Sequence, residues 1–269
     1  MIIDFHTHIF PEEIASKTIS HLEKVGNTSA FTNGTISDLK RSMQAANITT
    51  SVILPVVTRP SQFERINRYA ASVNGQEGIV SFGGIHPDSK DYQEELEKIQ
   101  SLNLKGIKLH PDYQNTFIDE DKFLKIIEYA LNLDLIVSIH AGIDIGLPMP
   151  VHCPPMRASN MLDTVLLQTK NPLPKIVLAH TGGFGQWDEV EQYLVGKNVY
   201  FDLSYSLGMI SDDQFLRIIR NHGSKKILFA TDSPWGGQKD TLDYFQSLNI
   251  TQEEKENILF KNACKLLSI

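Results

Sequence analysis

With 269 residues, 41% of them hydrophobic, the chain can bury one large core and needs no second domain to account for its length. A formal net charge of −7 with scattered basic residues excludes nucleic acid and anionic membranes as main partners and leaves a small-molecule substrate as the expectation. Cys153 and Cys264 lack CxxC spacing and read as free thiols. With no basic, apolar leader and no apolar run near the ~20 residues that cross a bilayer, a soluble cytoplasmic protein is expected.

The first predicted strand, residues 2–6, runs into His6-Thr7-His8. Side chains on a strand alternate between faces, so His6 and His8 share one side, where two imidazoles can grip one metal ion. The long connection over residues 9–35 holds a helix over 12–25. Thr35 and Ser37 are capping candidates for the next helix, whose apolar face is Leu39, Met43 and Ala46. The second and third strands, 51–56 and 79–85, lead to Arg59 and His86, and the fourth, 106–110, carries Lys108 and His110. Asp119 then precedes a helix patterned by Phe123, Ile126, Ile127 and Ala130. The fifth strand, 135–140, ends in His140 and feeds a second long connection, 141–155, a lid candidate on the catalytic face. Pro148, Met149, Pro150 and Met156 give it an apolar mouth, with His152 within it and Arg157 at its end. The remaining strands, 175–180, 199–203 and 227–231, lead to His180, to Asp202 and Ser204, and to Asp232 with Trp235 three residues beyond.

Strand and helix alternate eight times, which predicts a single-domain α/β protein, a (β/α)8 TIM barrel over residues 1–269. An open doubly wound sheet would carry a glycine-rich phosphate turn after its first strand, where this chain has His-Thr-His-Ile-Phe-Pro. In such a barrel the active site forms at the C-terminal ends of the strands. Of nine histidines, seven lie at or beyond those ends, and only His21 and His222 fall in helical stretches. His140 shares its face with Ser138, and Asp232 with the small Ala230. His6, His8, His140 and Asp232 can therefore meet at one point. Three imidazoles and a carboxylate suit Zn²⁺ or another borderline divalent ion, with a position left for water. Singly, His140 or His180 reads as a hydrogen-bonded rim residue and Asp232 as a turn residue before Ser233-Pro234. Jointly, they crowd one rim of the barrel.

These motifs in this order, His6-Thr7-His8, Gly106-Ile107-Lys108-Leu109-His110-Pro111, Ile139-His140-Ala141-Gly142, Ala179-His180-Thr181-Gly182-Gly183 and Ala230-Thr231-Asp232-Ser233-Pro234-Trp235-Gly236, resemble the amidohydrolase superfamily. Within it they resemble the amidohydrolase-2 group, which includes aminocarboxymuconate-semialdehyde decarboxylase. The resemblance covers nearly the whole chain. It implies one divalent metal per chain, usually zinc, held by His6, His8, His140 and Asp232. His180 becomes an acid/base beside the metal or a ligand to a second one. Some superfamily members carry a carboxylated lysine at the place of Lys108; a single metal is commoner in the group resembled, so Lys108 reads as a site residue that is neutral to cationic. The resemblance also implies a homodimer.

The reaction expected is attack of a metal-activated water on an amide, lactone or ester, with Asp232 carrying the proton and His180 polarising the carbonyl. The alternative keeps the site and makes a decarboxylase, which needs a cation for the substrate carboxylate: Arg157, Arg59 or Lys108. His110, His152, Trp235 and Phe31 are further pocket candidates, with Asp202 and Ser204 as partners for a ligand imidazole. A barrel without catalysis is disfavoured by the complete ligand set. A nuclease of the TatD type is disfavoured by Lys108, where those relatives carry glutamate.

Overall fold

A computed structural model describes residues 1–147, 149–168 and 175–269; Pro148, part of the expected apolar mouth, lies outside them. Parallel β-segments form the centre: β1 (Ile3–Thr7), β2 (Thr50–Ile53), β3 (Ile79–Ser81), β4 (Gly83–Gly84), β5 (Gly106–Leu109), β6 (Ile136–Ile139), β7 (Ile176–Leu178), β8 (Tyr200–Asp202) and β9 (Ile227–Leu228). They are ordered β1-β2-β3 and β4-β5-β6-β7-β8-β9. The expected third strand is thus two segments, β3 pairing with β2 and β4 with β5. Phe82, between them, still donates its N–H to Ile53 O at 2.9 Å, so the wall continues across the break. At the other seam the chain after β9 lies against β1: Phe5 N–H donates to Phe229 O and Asp232 N–H to His6 O, both at 2.9 Å. These contacts complete an eight-stranded TIM barrel.

Helices α1 (Glu12–Gly26), α2 (Ile36–Ala46), α3 (Phe63–Val73), α4 (Tyr92–Ser101), α5 (Asp121–Asn132) and α6 (Pro155–Gln168) follow in order. They continue with α7 (Trp187–Tyr193), α8 (Asp212–His222), α9 (Gln238–Ser247), α10 (Gln252–Glu256) and α11 (Asn262–Leu267). Thr35, not Ser37, caps α2, its Oγ1 accepting the Asp38 N–H at 3.3 Å, and Leu39, Met43 and Ala46 are buried beneath it. Asp119 does not cap α5, whose N-cap is Glu120. Among the described residues no helix is long and apolar enough to cross a membrane.

The core has two layers, as a strand period of two requires. Ile107, Val137, Ile139, Ile176, Leu178 and Phe201 face outward and join the helices. Val52, Leu54, Phe82, Ile136, Val177 and Leu228 fill the barrel, with Ala263, Leu266 and Leu267 of α11 packed against them. β1 departs from strict alternation. Asp4 pairs with Ser51 and Thr7 with Ile53, so β1 carries one residue more than β2 over that interval. This β-bulge lets Phe5 pack inward, edge to face with Phe82 at 5.9 Å, while His6 also reaches the interior beside Lys108.

Asp4, turned the other way and fully buried, ties the seam together. Its carboxylate accepts from Thr231 N at 3.0 Å, Thr231 Oγ1 at 2.6 Å and Gln238 Nε2 at 2.7 Å. Burial nevertheless raises its pKa to about 6, against the lowering effect of these hydrogen bonds. Replacing Asp4 with Ala strands these donors, and the expected loss is about 2–4 kcal/mol of unfolding free energy in urea titrations followed by circular dichroism. A loss below about 1 kcal/mol would mean that the seam does not depend on Asp4.

Candidate metal centre and active site

The histidine tautomers follow from their backbone-side partners. His6 Nδ1 donates to Asp202 Oδ2 at 3.0 Å, and His8 Nδ1 donates to Leu54 O at 2.8 Å. Both Nε2 atoms therefore carry lone pairs. They lie 3.1 Å apart, and Asp232 Oδ1 is 3.4 Å from the first and 3.2 Å from the second. Three acceptors converge with no proton of their own to share. Apart from Lys108 near His6 Nε2, nothing among the described residues there donates to them, and a shared cation would satisfy all three, so these residues fit a divalent metal ion.

Electrostatics keep this set in its ligand form. Burial, with the charge of Lys108, pushes His6 down to about 3, so the ring is neutral at physiological pH. Burial alone would raise the carboxyls of Asp202 and Asp232. The histidines facing each outweigh it and hold both far below the usual carboxylate range. Lys108 lies in the barrel, its Nζ 3.3 Å from His6 Nε2, and burial lowers its pKa to about 8. It remains mostly an ammonium at neutral pH.

A second chain of hydrogen bonds fixes the other two histidines. Ser204 Oγ donates to Asp202 Oδ1 at 2.5 Å, and His180 Nδ1 donates to Ser204 O at 2.9 Å. His180 Nε2 is then an acceptor and takes the proton of His140 Nδ1 at 3.0 Å. His140 Nε2 is left with a lone pair, buried and without a partner in the structure. The ring of His140 stacks on His110 at 4.1 Å and 13°, and its donor atom groups with His110 and Asp144. Of the four ligands expected, the structure thus gathers His6, His8 and Asp232 and sets His140 beside them, turned toward His110 by the stack.

The backbone is bent to make these placements. His180 and Asp232 adopt φ of 59° and 66°, left-handed values that cost a residue with a Cβ. Thr181 N–H to Asp202 O at 2.7 Å and Asp232 N–H to His6 O hold the two turns. Gly142 has φ +85°, and a Cβ there would sit 2.1 Å from Phe184 N, so only glycine lets the long connection pair with the loop after β7.

The histidines, Lys108 and Asp232 form the polar end of a cavity of about 670 Å³, and Trp235 and His110 also line it. Arg157 lies outside its wall. Its Nη1 donates to Asp119 Oδ1 at 2.6 Å, and the guanidinium covers the Phe117 ring at 3.9 Å, so its charge is already used. His152 is also outside, its Nδ1 bonded to Asp112 Oδ1 at 3.1 Å. Arg59 and Phe31 do not reach the wall, and His86 Nδ1 accepts the Asp88 N–H in its own turn. Tyr113, Arg65 and Asp144 are among the wall residues that escape the sequence pattern. Asp144, 3.3 Å from His110 Nε2, had a signal, being the only carboxylate in connection 141–155. Tyr113 and Arg65 had none.

Set against known proteins, the chain belongs to the amidohydrolase family, whose sequence profile matches residues 3–269. No curated protein matches it by sequence. Its fold is that of 2,6-dihydroxybenzoate decarboxylase complexed with 2,6-dihydroxybenzoate, with TM-score 0.75 and 15% identity over 100% of this chain and 99% of that one. A dihydroxybenzoic acid decarboxylase from Polaromonas sp., with bound manganese and the inhibitor 2-nitroresorcinol, gives 0.74 and 15% over 99% and 96%. A putative 2-pyrone-4,6-dicarboxylic acid hydrolase from Pseudomonas putida gives 0.67 and 15% over 99% and 97%.

Asp202 fixes the His6 tautomer, so Asp202→Asn is expected to weaken divalent-metal affinity about 10- to 100-fold, measured as metal retained per chain after dialysis against graded chelator. Retention equal to wild type would show that His6 does not need this partner.

Proposed function

We propose that the protein is a metal-dependent hydrolase acting on an amide, lactone or ester bond of a small molecule. The observation that carries this reading is Asp232, an ionised carboxylate on the cavity wall within 3.4 Å of the lone pairs of both His6 and His8. In our reading His6, His8, His140 and Asp232 would hold one Zn²⁺ per chain, which would supply Lewis acidity and a water of pKa about 7.

The chain's own residues then divide the work. Asp232 accepts the proton of the attacking water on its carboxylate and returns it to the leaving nitrogen or oxygen. The Lys108 ammonium, fixed in the barrel, favours the negative charge that develops on the carbonyl oxygen. His180 keeps the His140 lone pair on Nε2 by accepting a hydrogen bond from its Nδ1–H. Both cysteines are free, in keeping with a reducing cytoplasmic setting.

A second reading, decarboxylation of an unsaturated or aromatic carboxylate, draws on Lys108, a buried ammonium open to the cavity that can pair with a carboxylate. Among the similar structures, three are decarboxylases of dihydroxybenzoates and two of 5-carboxyvanillate. Arg157, tied to Asp119, is no longer a candidate for that task.

The metal-loaded protein should be assayed against lactones, N-acyl compounds, esters and aromatic carboxylates. Hydrolysis of one of the first three classes is expected, with Asp232→Asn and His180→Ala each lowering kcat by about 100-fold or more. Carbon dioxide release without hydrolysis would replace the hydrolase reading by the second.

A further inference from the structure

We infer that the substrate carries an extended apolar acyl arm, seated between α1 and residues 143–146 of the connection after β6, with its reacting carbonyl at the histidines. The inference deepens the hydrolase reading and rests on it for the nature of the reacting group.

α1 has more apolar surface than the barrel covers. Ala15 and Ile19 are buried against the core. Ile14, Thr18, Leu22 and Val25 follow one another at spacings of four, four and three, the period of one helix face, and all line the cavity. Ile14 and Val25 stay 39% and 42% exposed, so the described residues cover this stripe only in part. Ile143 and Ile145 of the long connection and Ile66 of α3 supply further apolar wall. The roof is closely fitted, since a Cβ on Gly146 would lie 3.3 Å from the Val25 side chain and one on Gly26 would lie 3.8 Å from Ile145.

The wall also carries Tyr69, Tyr113, Asp144 and Tyr205. The histidines, Lys108 and Asp232 occupy the inner end, whereas Glu13 and Arg65, both exposed, belong to the wall near solvent. The 670 Å³ volume lies in the range of pockets that enclose drug-sized ligands, far more than an acetyl group would fill. A polar ligand of that size would lose its hydration against aliphatic walls without replacement. An apolar arm gains free energy with each methylene it buries. Because Ile14 and Val25 border solvent, the space does not cap the arm at a fixed length.

The test uses the metal-loaded protein and straight-chain acyl esters of one alcohol, from acetyl to octanoyl. kcat/KM is expected to rise about threefold per added methylene before levelling off. Leu22→Glu, which sets a carboxylate in the stripe, is expected to flatten the series, as is Ile14→Glu at a more exposed position. Lys17→Glu, on the solvent side of α1, should leave the slope unchanged.

Titration calorimetry of 1-butanol to 1-octanol gives a readout independent of turnover: affinity should rise with chain length in the wild type and not in Leu22→Glu. If no ester is cleaved but octanol binds in this Leu22-dependent way, the hydrolase reading fails and the apolar-arm site stands. If neither turnover nor binding improves with chain length, or if Leu22→Glu matches wild type in slope, the inference is overturned.

Discussion

The rest of this structure depends on one electrostatic conflict: three lone-pair acceptors, His6 Nε2, His8 Nε2 and Asp232 Oδ1, held within 3.4 Å of one another at the barrel mouth. Left to themselves they would move apart, because none has a proton to give. They are held by commitments made on their far sides. Asp202 and Leu54 O take the Nδ1 protons, and the turn at Asp232 is pinned to His6 O. Each such bond contributes about 1 kcal/mol or somewhat more, and together they offset the repulsion and the cost of left-handed residues. The barrel is thus prepared for a cation before one arrives.

The scaffold supplies that preparation cheaply because a barrel places strand ends on a common rim. Inner residues such as Phe5, Phe82 and Ile136 fill the lower barrel and leave the upper layer to Lys108, Ser138 and the histidines. The outer aliphatic layer binds the helices and keeps the strands from shifting register. At the mouth, α1 and the long connection approach each other at Gly26 and Gly146, where added Cβ atoms would meet Ile145 and Val25.

The alternation of strand and helix was readable because parallel strands buried on both faces give short aliphatic runs that helices interrupt. The rim residues were readable because His and Asp at the ends of such runs have no packing reason to be there. Other features lay beyond the pattern. The bulge in β1 depends on pairing with β2, which no local propensity encodes, and the break at Phe82 on how two neighbouring strands diverge. That Arg157 is spent on Asp119 and Phe117 follows from a contact across 38 residues. The orientation of His140, stacked on His110 and bonded to His180, is likewise a product of packing. The inner face of α1 looked like any amphipathic helix, since a stripe facing a cavity and a stripe facing a core have the same period.

The acceptor cluster also straddles the seam where the ring of strands closes. His6 and His8 are among the first residues of the chain, and Asp232 lies within its last forty. The cluster therefore exists only when β1 and the chain after β9, far apart in sequence, have been brought together. Once the seam is shut, an ion that binds only the closed form acts as a clasp, adding its binding free energy to the cohesion of the two ends. Cohesion of the seam and competence for chemistry then switch on together, in one act of closure.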